Sequence, residues 1–147
     1  MRVNGEWLIC EDGVIRPTVT GVVRTPDGQM FEVPFLLDAG ADRTVFSADF
    51  LSLLIPLRNS EAEQIHLAGV GGRVGSITVD TAIGFTRDDG KVVTIRGPFA
   101  VFTEGESAEL SVLGRDVTNN FSVIYDYPNA MVALLARPHY YEIKRAS

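Results

Sequence analysis

The stretch Phe35-Leu36-Leu37-Asp38-Ala39-Gly40-Ala41-Asp42 runs an apolar segment straight into an ionisable side chain. An aspartate in that position is expected to be partly desolvated, so it needs hydrogen-bond partners or a chemical purpose. Gly40, two residues on, permits a sharp turn that would present the carboxylate. Taken alone, Asp-x-Gly reads as an ordinary Asx turn at a strand end. Asp12, Asp27 and Asp89 each stand directly before a glycine and read as turn residues of that kind. Asp38 differs from them in its apolar approach.

Outward from this stretch the chain reads as strands separated by tight turns. Glu11-Asp12-Gly13, Thr25-Pro26-Asp27-Gly28, Arg87-Asp88-Asp89-Gly90 and Tyr127-Pro128-Asn129 supply residues that tolerate turn geometry. Ile77, Val79, Ile83 and Phe85 alternate with Ser76, Thr78, Asp80 and Gly84. The pattern resumes in Val93, Ile95, Phe99 and Val101, which predicts a hairpin with one face on a core. Residues 14–24 and 29–37 predict a second hairpin across Pro26-Asp27-Gly28, and residues 121–126 and 131–135 a third across Pro128-Asn129. Helix is predicted only for Ala48 to Ile55, with Ser47 as cap and Pro56 as stop, and for a short turn from Arg115 to Asn119. Phe35 to Asp38 and Leu110 to Gly114 echo one another, each an apolar run that ends at a small-and-charged corner. No linker or repeat divides the chain, so residues 1–147 are expected to form a single domain.

Composition narrows the function classes. The chain has 147 residues, 46% of them hydrophobic, which suits one core. Thirteen basic residues against nineteen acidic ones give a net charge of -6, which repels a phosphate backbone and argues against nucleic acid as a partner. No stretch approaches the roughly 18 to 20 apolar residues of a membrane helix. The first fifteen residues carry Asn4, Glu6, Glu11 and Asp12 where a signal peptide would be apolar. The single cysteine, Cys10, has no partner for an internal disulfide and is expected to be a buried small hydrophobe. A cytoplasmic protein with no membrane contact is the expectation, and a domain excised from a longer precursor would read the same. One cysteine and two histidines, His66 and His139, without Cys-x-x-Cys or His-x-x-x-His spacing, leave little material for a metal site. No cofactor is expected. The nucleophile elbow Gly-x-Ser-x-Gly is absent, and glycines at 69, 71, 72 and 75 miss the dinucleotide-loop spacing.

Leu36 to Val45 resembles the active-site loop of the retropepsins, the retroviral-type aspartic proteases, in which an apolar pair precedes Asp-Thr-Gly or Asp-Ser-Gly, then Ala and usually a second acid. Ala68-Gly69-Val70-Gly71-Gly72 lies where that family places its glycine-rich flap. Val112-Leu113-Gly114-Arg115-Asp116-Val117 is similar to its second signature, an apolar pair followed by Gly-Arg and a short helix. The three motifs occur in the family's order over roughly residues 30–135, a far more specific signal than any one alone. The stretch Phe121 to Leu135 also resembles retropepsin-like domains found outside viruses.

The resemblance implies an all-β fold, a closed or partly open barrel with one or two short helices, whose active site lies on the two-fold axis of a homodimer. It implies an aspartic endopeptidase acting on a peptide or protein, with Asp38 catalytic and with Ala39, Gly40, Ala41 and Asp42 in the substrate-binding loop. Gly69, Val70, Gly71 and Gly72 would form the flap. Arg115 would support the loop by pairing with Asp42, and an acidic partner is also expected because a guanidinium beside Val112-Leu113 is costly if unpaired. Carboxylate catalysis needs two such groups, and no second Asp-x-Gly-Ala follows an apolar run, so the other would come from a second copy. Ala39 departs from the pattern. The family's Thr or Ser hydroxyl there donates across the dimer interface, a bond worth about 1 kcal/mol or more. A methyl group cannot make it, so the alternative function is a weakened or catalytically silent module that dimerises or binds peptides.

Overall fold

Alternating apolar residues and closely spaced turns become ten strands in the computed structural model, which describes residues 2–61, 75–105 and 110–147. These are β1 (Arg2–Asn4), β2 (Glu6–Ile9), β3 (Ile15–Arg24), β4 (Met30–Leu37), β5 (Val45–Phe46), β6 (Ser76–Thr86), β7 (Val92–Phe102), β8 (Ser111–Leu113), β9 (Phe121–Asp126) and β10 (Met131–Ala136). The fold class is all-β. Seven strands form one sheet in the order β2-β3-β4-β8-β5-β7-β6, and a further pairing of β3 with β6 through Val22↔Gly84 and Val23↔Ile83 closes it into a barrel with β2 outside. Closure through these two pairs covers part of the edge that an open sheet would expose. The remaining strands form a three-stranded sheet in the order β1-β10-β9.

All three expected hairpins are present, β3–β4, β6–β7 and β9–β10, each antiparallel. Along β6 the burial alternates so that Ile77, Val79, Ile83 and Phe85 face the core. That core is filled by Phe35, Phe46, Phe85, Leu54, Ile83 and Leu113, all essentially inaccessible to water. Burying each such side chain stabilises the fold by about 1.5–3 kcal/mol. Phe46 meets Phe35 edge to face at 5.4 Å and Phe99 at 6.3 Å, tying β5 to β4, which leads into Asp38, and to β7.

The echo between Phe35–Asp38 and Leu110–Gly114 takes physical form as a parallel pairing of β4 with β8, in which Phe35 lies opposite Ser111 and Leu37 opposite Leu113. Parallel pairing, unlike a hairpin, leaves no local turn signature. Four expectations need correction. The segment from Ala48 is a single helical turn, α1 (Leu51–Leu54), between 3-10 turns at Ala48–Phe50 and Ile55–Leu57, so Pro56 lies inside the last turn instead of ending a helix. Ser47 makes no side-chain capping bond. Its amide donates to the Ser111 hydroxyl at 2.9 Å, which ties this corner to β8. Cys10 is half-buried, because it closes the β2–β3 turn at the protein's periphery. The strands β1 and β2 were not legible from the sequence, being short and mixed in composition. Among the described residues, no helix is long and apolar enough to cross a membrane.

Candidate active site

Asp38 follows the last residue of β4, and its amide extends the parallel ladder by donating to the Leu113 carbonyl at 3.3 Å. With buried Leu37 before it and exposed Ala39 and Gly40 after it, the half-buried carboxylate stands where the barrel wall meets solvent. The Gly40 amide donates to Asp38 Oδ1 at 2.9 Å, and the Ala41 amide donates to the Asp38 carbonyl at 3.1 Å. Residues 38–41 are therefore a tight turn wrapped around the carboxylate. Gly40 does not occupy the left-handed region expected of a turn glycine. It matters for space, because a Cβ there would crowd Asp38 Oδ1 at 3.2 Å.

The second expected motif packs directly on this turn. After β8 the chain enters α2 (Arg115–Thr118), whose first amide groups lack partners within the helix. The Arg115 amide donates to the Ala41 carbonyl at 2.9 Å and the Asp116 amide to the Asp42 carbonyl at 3.3 Å, so the orphan donors of one motif satisfy acceptors of the other. Gly114 is required by this approach, since a Cβ on it would collide with the Arg43 backbone, whose nitrogen would be 2.7 Å away.

Two side-chain clamps complete the junction. The Arg115 guanidinium donates to the Ala39 carbonyl at 3.1 Å and forms an ion pair with Asp42. The expected pair is present, but its expected cause is not. Arg115 and Asp42 are both exposed, so burial does not force them together, and a solvated pair adds little stability. Its effect is geometric, since one planar group holds both ends of residues 39–42. The other clamp is partly buried. Thr44, wholly inaccessible, donates its hydroxyl to Asp116 Oδ1 at 2.7 Å and its amide to Asp116 Oδ2 at 3.0 Å, while its hydroxyl oxygen accepts from the Gly114 amide at 3.0 Å.

Thr44 and Asp116 both fall inside the quoted motifs but were given no role. The available signal was a hydroxyl inside the run Thr44-Val45-Phe46, because a buried polar group requires a partner. A third omission is Tyr125 on β9. Its phenol is pushed above its ordinary pKa, first by partial burial and then by the negative charge of Asp38, which places the two groups in one electrostatic neighbourhood. Gly69, Val70, Gly71 and Gly72 lie outside the described residues, as does His66. Among the described residues no group of three His, Cys, Asp or Glu side chains is placed to hold a metal ion.

No protein-family model matches the chain, and no curated protein matches it. Among solved structures it is similar to the crystal structure of a retropepsin-like aspartic protease from Rickettsia conorii, at 14% sequence identity and a TM-score of 0.49, over 91% of this chain and 90% of that one. A likeness at that level transfers no residue role, and the site described above stands on its own geometry.

Proposed function

We propose that this chain is one protomer of a homodimeric aspartic endopeptidase of retropepsin type, with Asp38 as the reacting carboxylate. The observation that carries the proposal is the mounting of Asp38. A half-buried carboxylate ends a barrel strand, and its turn is held by a second strand-and-helix unit through bonds that include Arg115 to Ala39 and Arg115 to Asp42. The other carboxylates of this junction are already committed, Asp42 to Arg115 and Asp116 to Thr44. The carboxylate that shares a proton with Asp38 therefore comes from the Asp38 of a second copy.

In such a pair, like charges a hydrogen bond apart do not both ionise, and the dyad titrates in two macroscopic steps. The ionised carboxylate takes a proton from water as its oxygen bonds to the peptide carbonyl carbon, while the protonated one donates to the carbonyl oxygen. Collapse of the tetrahedral intermediate breaks the C–N bond, and the leaving amine departs with a proton from the dyad. The turn around Asp38 keeps the carboxylates oriented, and no metal enters the scheme.

Ala39 favours a second proposal, a silent or weakened peptide-binding module. Its methyl group is exposed beside the carboxylate and offers no donor to a neighbouring copy. Peptide cleavage measured from acidic to neutral pH separates the two. An endopeptidase loses about 10³-fold or more of its rate in Asp38→Asn and gains in Ala39→Thr. Cleavage that survives Asp38→Asn refutes the endopeptidase; no cleavage by either the wild type or Ala39→Thr leaves the module.

A further inference from the structure

We infer that the aromatic cluster of Trp7, Tyr125 and Tyr127 is the face on which a second copy of this chain packs, beside Asp38. The inference rests on the homodimer proposed above and names the surface that forms it. Trp7 and Tyr127 meet edge to face with ring centroids 5.0 Å apart, and Trp7 and Tyr125 lie at 6.4 Å. The Trp7 indole N–H donates to the Met131 carbonyl at 3.0 Å, which fixes the indole to β10 while the two tyrosines remain 44% and 57% exposed. Rigid aromatic rings with one wet side are the residues enriched in interface cores.

Register places the cluster at the reacting end of the barrel. Trp7 on β2 lies opposite Pro17 of β3, and Thr18, next to Pro17, lies opposite Leu36 of β4, so the row from Trp7 runs to the end of β4 that carries Asp38. The charge of Asp38 reaches Tyr125. Two copies that bring their Asp38 carboxylates within hydrogen-bonding distance must bury the surface around that end of each barrel, except where the cleft admits substrate. Tyr125 stands on β9, an edge strand of its sheet among the described residues, and the residues of β9 are mostly half-buried. An edge with half-covered side chains is suited to being covered by another chain. Packing of these rings would also hold the dimer where Ala39 gives no hydroxyl.

Trp7 is the sole tryptophan, so its fluorescence reports this face alone. On dilution through the dimer–monomer transition measured by sedimentation, the emission maximum of the wild type is expected to move to longer wavelength with the same midpoint. Tyr125→Ala and Tyr127→Ala, both at exposed positions and checked for folding by circular dichroism, should each raise the dimer dissociation constant about tenfold or more. Tyr125→Phe, which keeps the ring, should dimerise like the wild type. A dimer whose Trp7 emission ignores dissociation, and whose alanine variants associate normally, overturns this inference and leaves the homodimer standing. A chain monomeric at every concentration removes the homodimer and this face with it.

Discussion

Asp38 and the three hairpin aspartates make the same bond to the backbone two residues on. Gly40 donates to Asp38 at 2.9 Å, Val14 to Asp12 at 3.0 Å, Gln29 to Asp27 at 3.4 Å and Lys91 to Asp89 at 3.1 Å. The regions part company beyond that bond. Side-chain partners of the hairpin aspartates are close in sequence, Arg16 for Asp12, Thr25 for Asp27 and Arg87 for Asp89. The turn around Asp38 is clamped by partners more than seventy residues away, Arg115 on Ala39 and Asp42, and Asp116 on Thr44. A local Asx turn thus says nothing about function, whereas long-range bracing of the same turn marks a carboxylate whose position matters.

Glycine substitutions should break the comparison most visibly. Gly114→Ala drives a Cβ into the Arg43 backbone, where neither side can yield without separating the two motifs, and should cost about 3 kcal/mol. Gly13→Ala meets no atom within 4 Å and suffers only the left-handed φ of 79°, a strain of roughly 1–2 kcal/mol. Urea unfolding of both variants checks the order. Equal losses would show that α2 does not hold the Asp38 turn by close contact.

Threonine hydroxyls give the next largest contrast. Thr44→Val leaves the buried Gly114 amide without its acceptor and removes one donor from Asp116, for about 2 kcal/mol. Thr25→Val removes bonds to Asp27 and the Gln29 carbonyl; Thr25 is buried like Thr44, but its two acceptor residues are exposed and take replacement donors from water, for about 1 kcal/mol or less. Double-mutant cycles sharpen the point. Thr44→Val should couple to Asp116→Asn but not to Thr25→Val. Additivity between Thr44 and Asp116 would sink this clamp.

Legibility in the sequence followed the same division between local and distant. Hairpins β3–β4, β6–β7 and β9–β10 could be read because their turns carry Asp-Gly or Pro-Asn and their strands alternate with period two. The parallel pairing of β4 with β8 was visible only as an echo, since nothing local specifies which strand a parallel partner will be. Ser47 misled because a residue type suited to capping is here buried in the fold and makes no side-chain cap. The link between Arg115 and Asp42 was expected from the family resemblance. The Thr44–Asp116 clamp, which lacked such a guide, went unread although the same motifs contain both residues.

Acid should distinguish the two regions with the smallest effect. Asp12 has its pKa lowered to about 2, chiefly by the Arg16 side-chain hydrogen bond and then by the Val14 amide, against about 3.9 in an unfolded chain. A carboxylate depressed on folding contributes stability that is fully present above the unfolded value and is lost as pH falls through the folded one. The contribution of Asp12 is therefore intact at neutral pH and disappears between about pH 4 and pH 2. Asp12→Asn can still accept from Val14 but cannot hold the Arg16 charge, so the variant should be slightly less stable than wild type at pH 7 and converge with it towards pH 2, which makes its acid limb shallower. The pair is exposed, and added salt should shrink the difference further. Urea midpoints of wild type and variant from pH 2 to pH 7 measure it. An unchanged acid limb would mean that the Asp12–Arg16 bond does not persist in solution, and that the hairpin corner rests on its backbone turn alone.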